Sequence, residues 1–396
     1  MRMRTLPPVA APSTLLDLWS GAAGLLQPQA ALDRLAREMS DVFGVNHVYL
    51  VSSGRAALTL ILRAIQRLSP RRRVIVPGYT CFSVPAVVVR AGLDLVACDI
   101  DSATLDFDYG HLETLLSESP ALCVVPTHMF GLPADTMRVR AMCEARGVFV
   151  VEDAAQAFGI VADNRWSGTS GDVGFYSFAR GKTVSAGAGG AVVTSSASIG
   201  GAMAQEYSTL PRPKTIRAVV SLAEAAATSI FVRPRLYWLP ARLPFLGLGE
   251  TRYSTAFNVG RLSGVQAGLL RRWRRRVAST NEARAARLER LGQAAGRLAP
   301  PGGRPCLRLP FVCRSREERD RLCARGDRDG LGLSQMYPSA INGIPELRGI
   351  LGDVRLPHAE DLAQRLLTVP IHPLVSVSDV EALRAVLETV QEPGEA

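Results

Sequence analysis

The sequence predicts an α/β protein: a three-layer α/β/α large domain around a mostly parallel sheet, followed by a smaller C-terminal α+β domain. Three observations carry that reading. From residue 30 to about 200, helical stretches alternate with short, β-branched apolar runs. A proline-studded segment then interrupts the alternation, and a Pro/Gly stretch, APPGGRP (299–305), introduces a shorter mixed region. The length agrees, because 396 residues make two or three domains at roughly 150 residues each.

Residues 1–29 read as an N-terminal arm. It opens MRMR and turns apolar, but Pro7, Pro8, Pro12 and Asp17 break any signal-like core. The large domain, 30–262, begins with a helix over 30–43, the strand VYLVSS (48–53) and a helix from Gly54. The runs VIVP (74–77), LDLVACD (93–99), ALCVVP (121–126), VFVVED (148–153) and GGAVVTS (189–195) continue the series. They have the character of strands buried on both faces. Residues 201–256 form an atypical insertion, with Pro211, Pro213, Pro234, Pro240 and Pro244. It reads as an internal subdomain or dimer contact, and its apolar, arginine-dotted part (216–249) as a second candidate, a peripheral membrane contact.

A long connecting helix is expected over 263–298, with Val265, Leu269, Trp273 and Val277 at i+4 spacing on one face. That spacing turns Trp273 inward and leaves the arginines of RRWRRR (271–276) on a solvated face, so the run is not a nucleic-acid site. The small domain, 299–396, ends in a helix announced by a capping box, Ser378 with Glu381, and carrying Val380, Leu383, Leu387 and Val390 on its apolar face.

Composition narrows the class. Hydrophobic residues at 47% and charged residues at 21% describe an ordinary folded protein. The formal charge of +10 speaks to anionic partners rather than to fold. Seven scattered cysteines without a C-x-x-C pair fit free thiols in a reducing, cytoplasmic compartment, and no metal site is expected. No apolar run reaches 18 residues. Among 46 basic residues only Lys182 and Lys214 are lysines, so each surviving lysine asks for a reason.

Three features carry chemistry. In VSSGRAAL a strand runs through Ser52, Ser53 and Gly54 into a helix, whose free N–H groups can bind phosphate. Asp153 ends an apolar strand, at the carboxyl edge where open α/β sheets bind ligands. Lys182 lies between an apolar strand and a glycine-rich turn, where arginine cannot replace it if the amine must lose its proton and form a Schiff base. Together they supply what pyridoxal 5′-phosphate requires: an amine for its aldehyde, a carboxylate for its ring nitrogen, and a helix start for its phosphate.

Four blocks then resemble the DegT/StrS-type sugar aminotransferases, a family of the aspartate aminotransferase fold (fold type I). They are VSSGRAAL (51–58), VVPTHMFGLPADTMRVRAMCEARGVFVVEDAAQAFG (124–159), GDVGFYSFARGKTVSAGAGGAVVT (171–194) and RLSGVQAGLL (261–270). QMYPSAI and LLTVPIHPLVSVSDV also look like that family's closing segment. The resemblance implies that Lys182 makes the Schiff base, Asp153 pairs with the pyridinium nitrogen, Gln156 contacts the phenolic oxygen and Ser177 a phosphate oxygen. It also implies that Ser53, Gly54 and Arg55 hold the phosphate, and that Asn258 reaches it from a neighbouring subunit of a homodimer with active sites at the interface.

The chain departs from the family's pattern at several places. Arg55 stands where a threonine is usual, so a guanidinium replaces a hydroxyl. Cys81 follows Thr80 where the ring-stacking aromatic is usual, leaving Tyr79, Phe82 or the thiol itself to face the ring. Asn258 and Arg261 are one residue further apart than in the family. His128 and His372 read as structural, Tyr337 is unassigned, and Lys214 has no evident chemistry.

The implied function is transfer of an amino group from an amino acid, glutamate, to a keto sugar carried on a nucleotide, in polysaccharide or secondary-metabolite biosynthesis. The alternatives are a non-sugar or lipid-linked acceptor handled at a membrane surface, and a non-catalytic regulator. The regulator would need an added DNA-binding domain, and no helix-turn-helix is visible. The family's sugar dehydratases carry histidine in place of the lysine, so Lys182 argues against dehydration.

Overall fold

The computed structural model describes residues 4–243, 249 and 251–391. The strands of the N-terminal two-thirds are β1 (His47–Val51), β2 (Arg73–Pro77), β3 (Asp94–Cys98), β4 (Ala121–Val124), β5 (Phe149–Asp153), the small hairpin β6 (Val161–Ala162) and β7 (Arg165–Trp166), then β8 (Val173–Ser177) and β9 (Gly190–Thr194). All except the hairpin join one seven-stranded sheet in the order β1-β9-β8-β5-β4-β2-β3. Strand β9 alone runs against its neighbours β1 and β8; every other pairing is parallel. The expected mostly parallel sheet is present.

Helices α1 (Leu15–Leu26), α2 (Pro28–Phe43), α3 (Gly54–Leu68), α4 (Ser83–Arg90), α5 (Tyr109–Glu118) and α6 (Thr136–Glu144) cover its two faces. Alternate residues of one strand feed opposite layers. Val74 and Val76 join the core under α3 and α4, while Ile75 joins the core under α5 and α6. Burial on both faces is why these strands are uniformly apolar rather than alternating.

Helix α7 (Ala197–Thr209) packs beside α3, capped by Ser196, whose hydroxyl accepts from Ile199 N–H. The expected insertion, 201–256, starts within α7. It continues through α8 (Thr215–Phe231) and α9 (Trp238–Ala241). Of the apolar part expected over 216–249, residues 244–248 lie outside the described residues. Helix α8 leaves Ile216, Val219, Val220, Ile230 and Phe231 exposed.

The connecting helix is broken rather than continuous. Helix α10 (Gly264–Leu269) ends, the backbone leaves helical geometry through Leu270 and Arg272, and α11 (Trp273–Leu291) resumes. The i+4 stripe is nevertheless buried, from Val265 at 0% exposure to Val277 at 6%. Just before the break, α10 packs tightly against α1. Gly24 of α1 and Gly264 of α10 meet so closely that a Cβ on Gly24 would lie 2.1 Å from the Gly264 carbonyl oxygen. Gly268 meets Ser20 in the same way. The N-terminal arm is thus helical over 15–26, docked through small residues; its buried Asp17 supplies a capping box with Thr14. Trp273 is buried and Arg271, Arg274 and Arg275 are exposed, while Arg276 turns inward to donate to the Leu269 carbonyl.

The C-terminal region contains β10 (Leu309–Val312), α12 (Arg316–Asp329), α13 (Arg348–Leu351), α14 (Pro357–Arg365), β11 (Leu366–Val369) and α15 (Val377–Gln391). Strands β10 and β11 pair antiparallel, and the region has its own apolar core with Leu309, Phe311, Leu367, Val380, Leu383 and Leu387. The Val390 side chain lies outside the described residues. The cap of α15 is Ser376 with Asp379, not Ser378 with Glu381. Ser376 Oγ accepts from Asp379 N–H, and the Asp379 carboxylate accepts from Ser376 N–H. The helix simply starts two residues earlier than the later serine suggests.

Candidate active site

The expected site residues converge on the carboxyl edge of the sheet. Strand β1 delivers Ser53 and Gly54, β5 delivers Asp153, and β8 delivers Ser177. The antiparallel β9 starts at this same edge, so the turn carrying Lys182 leaves β8 and returns beside Ser53, which bridges to Gly189.

At the start of α3, Ser53 caps the helix by accepting from Ala56 N–H at 3.1 Å. Gly54 lies against Ser177: a Cβ there would sit 3.1 Å from Ser177 Cβ and 3.3 Å from its hydroxyl oxygen. Glycine at this position lets the helix start and β8 approach closely enough to make one anion cradle of N–H and hydroxyl groups. Arg55 places its guanidinium 4.9 Å from the Phe257 ring centroid. Ser53, Arg55 and Asn258 line a common cavity of about 670 Å3, so this chain's own Asn258 lies beside its own helix start. Arg212, Lys214, Arg217 and Arg261 line the same cavity, and no carboxylate does. Lys214, unassigned in the sequence, is a wall of this basic cavity.

Asp153 is buried; its carboxylate accepts from Ala155 N–H at 3.0 Å. Burial pushes its carboxyl up, while the Ala155 N–H, Lys182 and His128 pull down; the net direction is upward. A carboxylate so placed needs a cation beside it to stay ionised. Lys182 answers in the other direction. Burial pushes its ammonium down, Cys81 and Asp153 oppose that, and Arg308 adds to it.

Gln156 is buried and donates to the Tyr337 hydroxyl at 3.1 Å, while its carbonyl oxygen is enclosed without a partner. An enclosed amide oxygen is an unmet acceptor, which a ligand O–H or N–H can satisfy. Thr80 Oγ1 and Tyr79 Oη are likewise enclosed and unpartnered. Of the three candidates to face a ring, Tyr79 and Phe82 are committed to the core, where both contact the Tyr337 ring. Cys81 is the half-buried one, and its thiol lies in the field of Lys182.

The two histidines hold structure. His128 Nδ1 accepts from Ala134 N–H, so Nε2 carries the proton it donates to Glu152 at 2.7 Å. Glu152 also accepts from Gly168, Ser170 and Gly171 N–H groups, clamping the 168–171 loop onto β5 next to Asp153. Burial alone would raise its carboxyl, but His128 and these N–H groups bring it below the usual range. His372 donates to the Pro7 carbonyl, and burial pushes its imidazolium down to about 3.

Sequence reasoning missed two guanidiniums beside the Lys182 turn, Arg284 buried and Arg308 half-buried. Arg284 on α11 donates to Thr183 Oγ1 and leaves Nε and Nη2 without partners. Arg308, before β10, leaves Nε without one. In so arginine-rich a chain, neither stood out. Among the described residues no group of His, Cys, Asp and Glu side chains converges as a metal site, and no helix is long and apolar enough to cross a membrane.

These residues fit pyridoxal phosphate: an anion cradle at Gly54 and Ser177, a buried carboxylate, an amine with a lowered proton affinity, and an open acceptor on Gln156. Comparison with known proteins agrees. The UDP-N-acetyl-3-dehydro-alpha-D-glucosamine 3-aminotransferase of Acidithiobacillus ferrooxidans is 34% identical over 166 residues, 42% of this chain and 44% of that protein. The L-glutamine:2-deoxy-scyllo-inosose aminotransferase of Streptomyces kanamyceticus is 32% identical over 42% of this chain and 38% of its own length. The match thus spans less than half of these curated relatives. A crystal structure of a DegT DnrJ EryC1 StrS aminotransferase from Brucella abortus shares the fold across 93% of this chain and 95% of its own, with a TM-score of 0.71 at 24% identity. Residues 23–218 match the DegT/DnrJ/EryC1/StrS aminotransferase family, and the chain has the fold of that family's solved structure.

Proposed function

We propose that this chain is a pyridoxal-phosphate-dependent aminotransferase that moves an amino group from an amino acid, glutamate, to a keto sugar carried on a nucleotide. It would work in the cytoplasm as a homodimer with active sites at the interface, with Asn258 contributing to the phosphate site. The carrying observation is the convergence of Lys182, Asp153 and the unmet Gln156 acceptor beside the Gly54–Ser177 cradle. Bound there, pyridoxal phosphate supplies an electrophilic carbonyl and a cationic ring that withdraws electrons from an adjacent carbanion.

The chain's own residues do the rest. The N–H groups of Gly54 and Arg55, with Ser53 and Ser177, would hold the phosphate, and Asn258 would reach it from the neighbouring subunit. Asp153 would hold the ring nitrogen through its carboxylate, and its negative charge would favour the protonated ring in a place where burial opposes charge. Gln156 orients a phenolic oxygen through its amide. Lys182 Nζ would take and hold the proton from the donor's α-carbon, a task suited to an amine with lowered proton affinity.

The basic cavity supports a nucleotide-linked acceptor, since five cations and no carboxylate line it next to the cradle. The family's sugar aminotransferases, among them the Acidithiobacillus relative, support the sugar class. The test is spectral. The purified protein should carry a visible absorbance band that bleaches with glutamate and returns with a keto sugar nucleotide; a protein without the band, or with one that glutamate leaves unchanged, refutes the reading. The Michaelis constant for the acceptor should rise with salt, and a flat response removes the electrostatic role of the cavity.

A second reading, a non-sugar or lipid-linked acceptor at a membrane surface, is favoured by the exposed Leu15, Trp19 and Leu26 of α1 and the exposed Ile216, Val220 and Ile230 of α8. The name of the Streptomyces relative, which acts on a cyclitol, supports the non-sugar half of it. Flotation with anionic liposomes decides the membrane half, and absence of binding rejects it.

A further inference from the structure

Arg308 precedes β10 and reaches across to the turn that carries Lys182. A Cβ on Gly181 would lie 3.9 Å from its Nη2. Nη1 finds only the thioether of Met336, at 3.4 Å, and Nε is enclosed without a partner. Among the described residues no carboxylate pairs with it; the groups in its field are the phenols of Tyr237, from the insertion, and Tyr337. Burial pushes the guanidinium down to about 10, so it remains charged at neutral pH. A half-buried cation with an enclosed, unpartnered Nε and no counter-ion is costly unless a ligand brings one, and the planar fork of arginine fits a carboxylate through two parallel N–H donors.

The neighbourhood identifies the anion. Arg308 lies close enough to Lys182 to push the lysine's ammonium down, so its counter-ion must bind beside the reacting amine. In an amino acid the α-carboxylate is attached to the very carbon whose proton Lys182 handles. In a nucleotide sugar the diphosphate is separated from the reacting carbon by the sugar ring, and the part of the basic cavity beyond the cradle, lined by Arg212, Lys214 and Arg217, is available to it. We propose that Arg308 is the anchor for the α-carboxylate of the amino donor, an assignment that rests on the transaminase reading above. It makes Arg308 a donor-specificity residue, and it selects α-amino acids over simple amines.

The holoenzyme and its Arg308→Gln and Arg308→Lys variants test this with two readouts. Calorimetry measures the affinity for glutarate, a dicarboxylate that cannot transfer an amine. Arg308→Gln should weaken it by about ten- to hundredfold, the loss expected for one charge-assisted pair, and Arg308→Lys should recover part of that. The glutamate concentration that half-bleaches the absorbance band should rise by a similar factor, while that for 4-aminobutyrate, which lacks a carboxylate on the amine-bearing carbon, should not. Retained absorbance and cooperative melting in Arg308→Lys show that the turn is intact.

Unchanged glutarate and glutamate affinity in Arg308→Gln overturns the assignment. A loss confined to the nucleotide-sugar half-reaction overturns it in favour of a diphosphate anchor. If glutamate fails to bleach the wild-type band, the transaminase reading falls, and the glutarate titration still decides whether Arg308 binds a carboxylate.

Discussion

Replacing Glu152 by glutamine tests whether the clamp beneath Asp153 is electrostatic or merely steric. The carboxylate accepts four hydrogen bonds: Oε1 from His128 Nε2 and Gly168 N–H, both at 2.7 Å, and Oε2 from Ser170 N–H at 2.8 Å and Gly171 N–H at 2.9 Å. His128 cannot become an acceptor at Nε2, because its Nδ1 already accepts from Ala134 N–H. A glutamine amide has one acceptor oxygen, so whichever way it turns, its NH2 faces two donors. Two enclosed donors left unmet, at about 1–3 kcal/mol each, predict a loss of about 2–6 kcal/mol.

The assay is urea unfolding followed by tryptophan fluorescence, since Trp166 in β7 lies just before the clamped loop. A pH series adds a second check. The folded-state Glu152 carboxyl sits below its ordinary value, so its contribution is fully present above the unfolded value of about 4.3 and is lost as pH falls through the folded one. Glu152→Gln should therefore lower the unfolding midpoint at neutral pH and lose that component of acid sensitivity. An unchanged midpoint would refute the reasoning, as would an acid response identical to that of wild type.

Three other outcomes are expected. Lys182→Ala should abolish borohydride trapping of cofactor on the chain, checked by mass spectrometry; trapping that persists would implicate Lys214 or another amine. Asp153→Asn should keep the cofactor but slow α-proton removal by on the order of a thousandfold, read by single-turnover bleaching, within the range that acid/base and charge-stabilising groups contribute. Gly24→Val should displace α1 from α10, because even a Cβ there would lie 2.1 Å from a backbone carbonyl oxygen; the expected result is faster proteolysis within residues 15–26, and an unaltered cleavage pattern would refute the packing argument.

Much of this architecture was legible because period and punctuation agree. Strands buried on both faces read as plain apolar runs, and Ser53-Gly54, Asp153 and Lys182 each sit where a strand stops. What was not legible depended on partners far along the chain. Helix α1 hides among prolines and shows no long apolar face toward the core, since small residues, Gly21 and Gly24, make its contact. The break after Leu269 keeps an unbroken i+4 stripe, so periodicity alone could not reveal it. Ser376 and Ser378 offer overlapping cap patterns, and only the chain's path out of Val375 chooses between them. Arg308 and Arg284 were invisible because arginine is the default cation here; what distinguishes them is enclosure without a carboxylate, a property of three dimensions.

The glycine seam between α1 and α10 has a consequence for synthesis. The ribosome releases residues 15–26 long before residues 264–269, and β1 long before its partner β9. Through that interval a nascent helix displays Leu18, Leu25 and its Gly21–Gly24 face with nothing to dock against. Such early apolar surface is what chaperones hold, and what aggregates when they do not. The seam therefore forms only once α10 has been made, and truncation before residue 264 should yield an N-terminal segment that synthesises well but does not stay soluble.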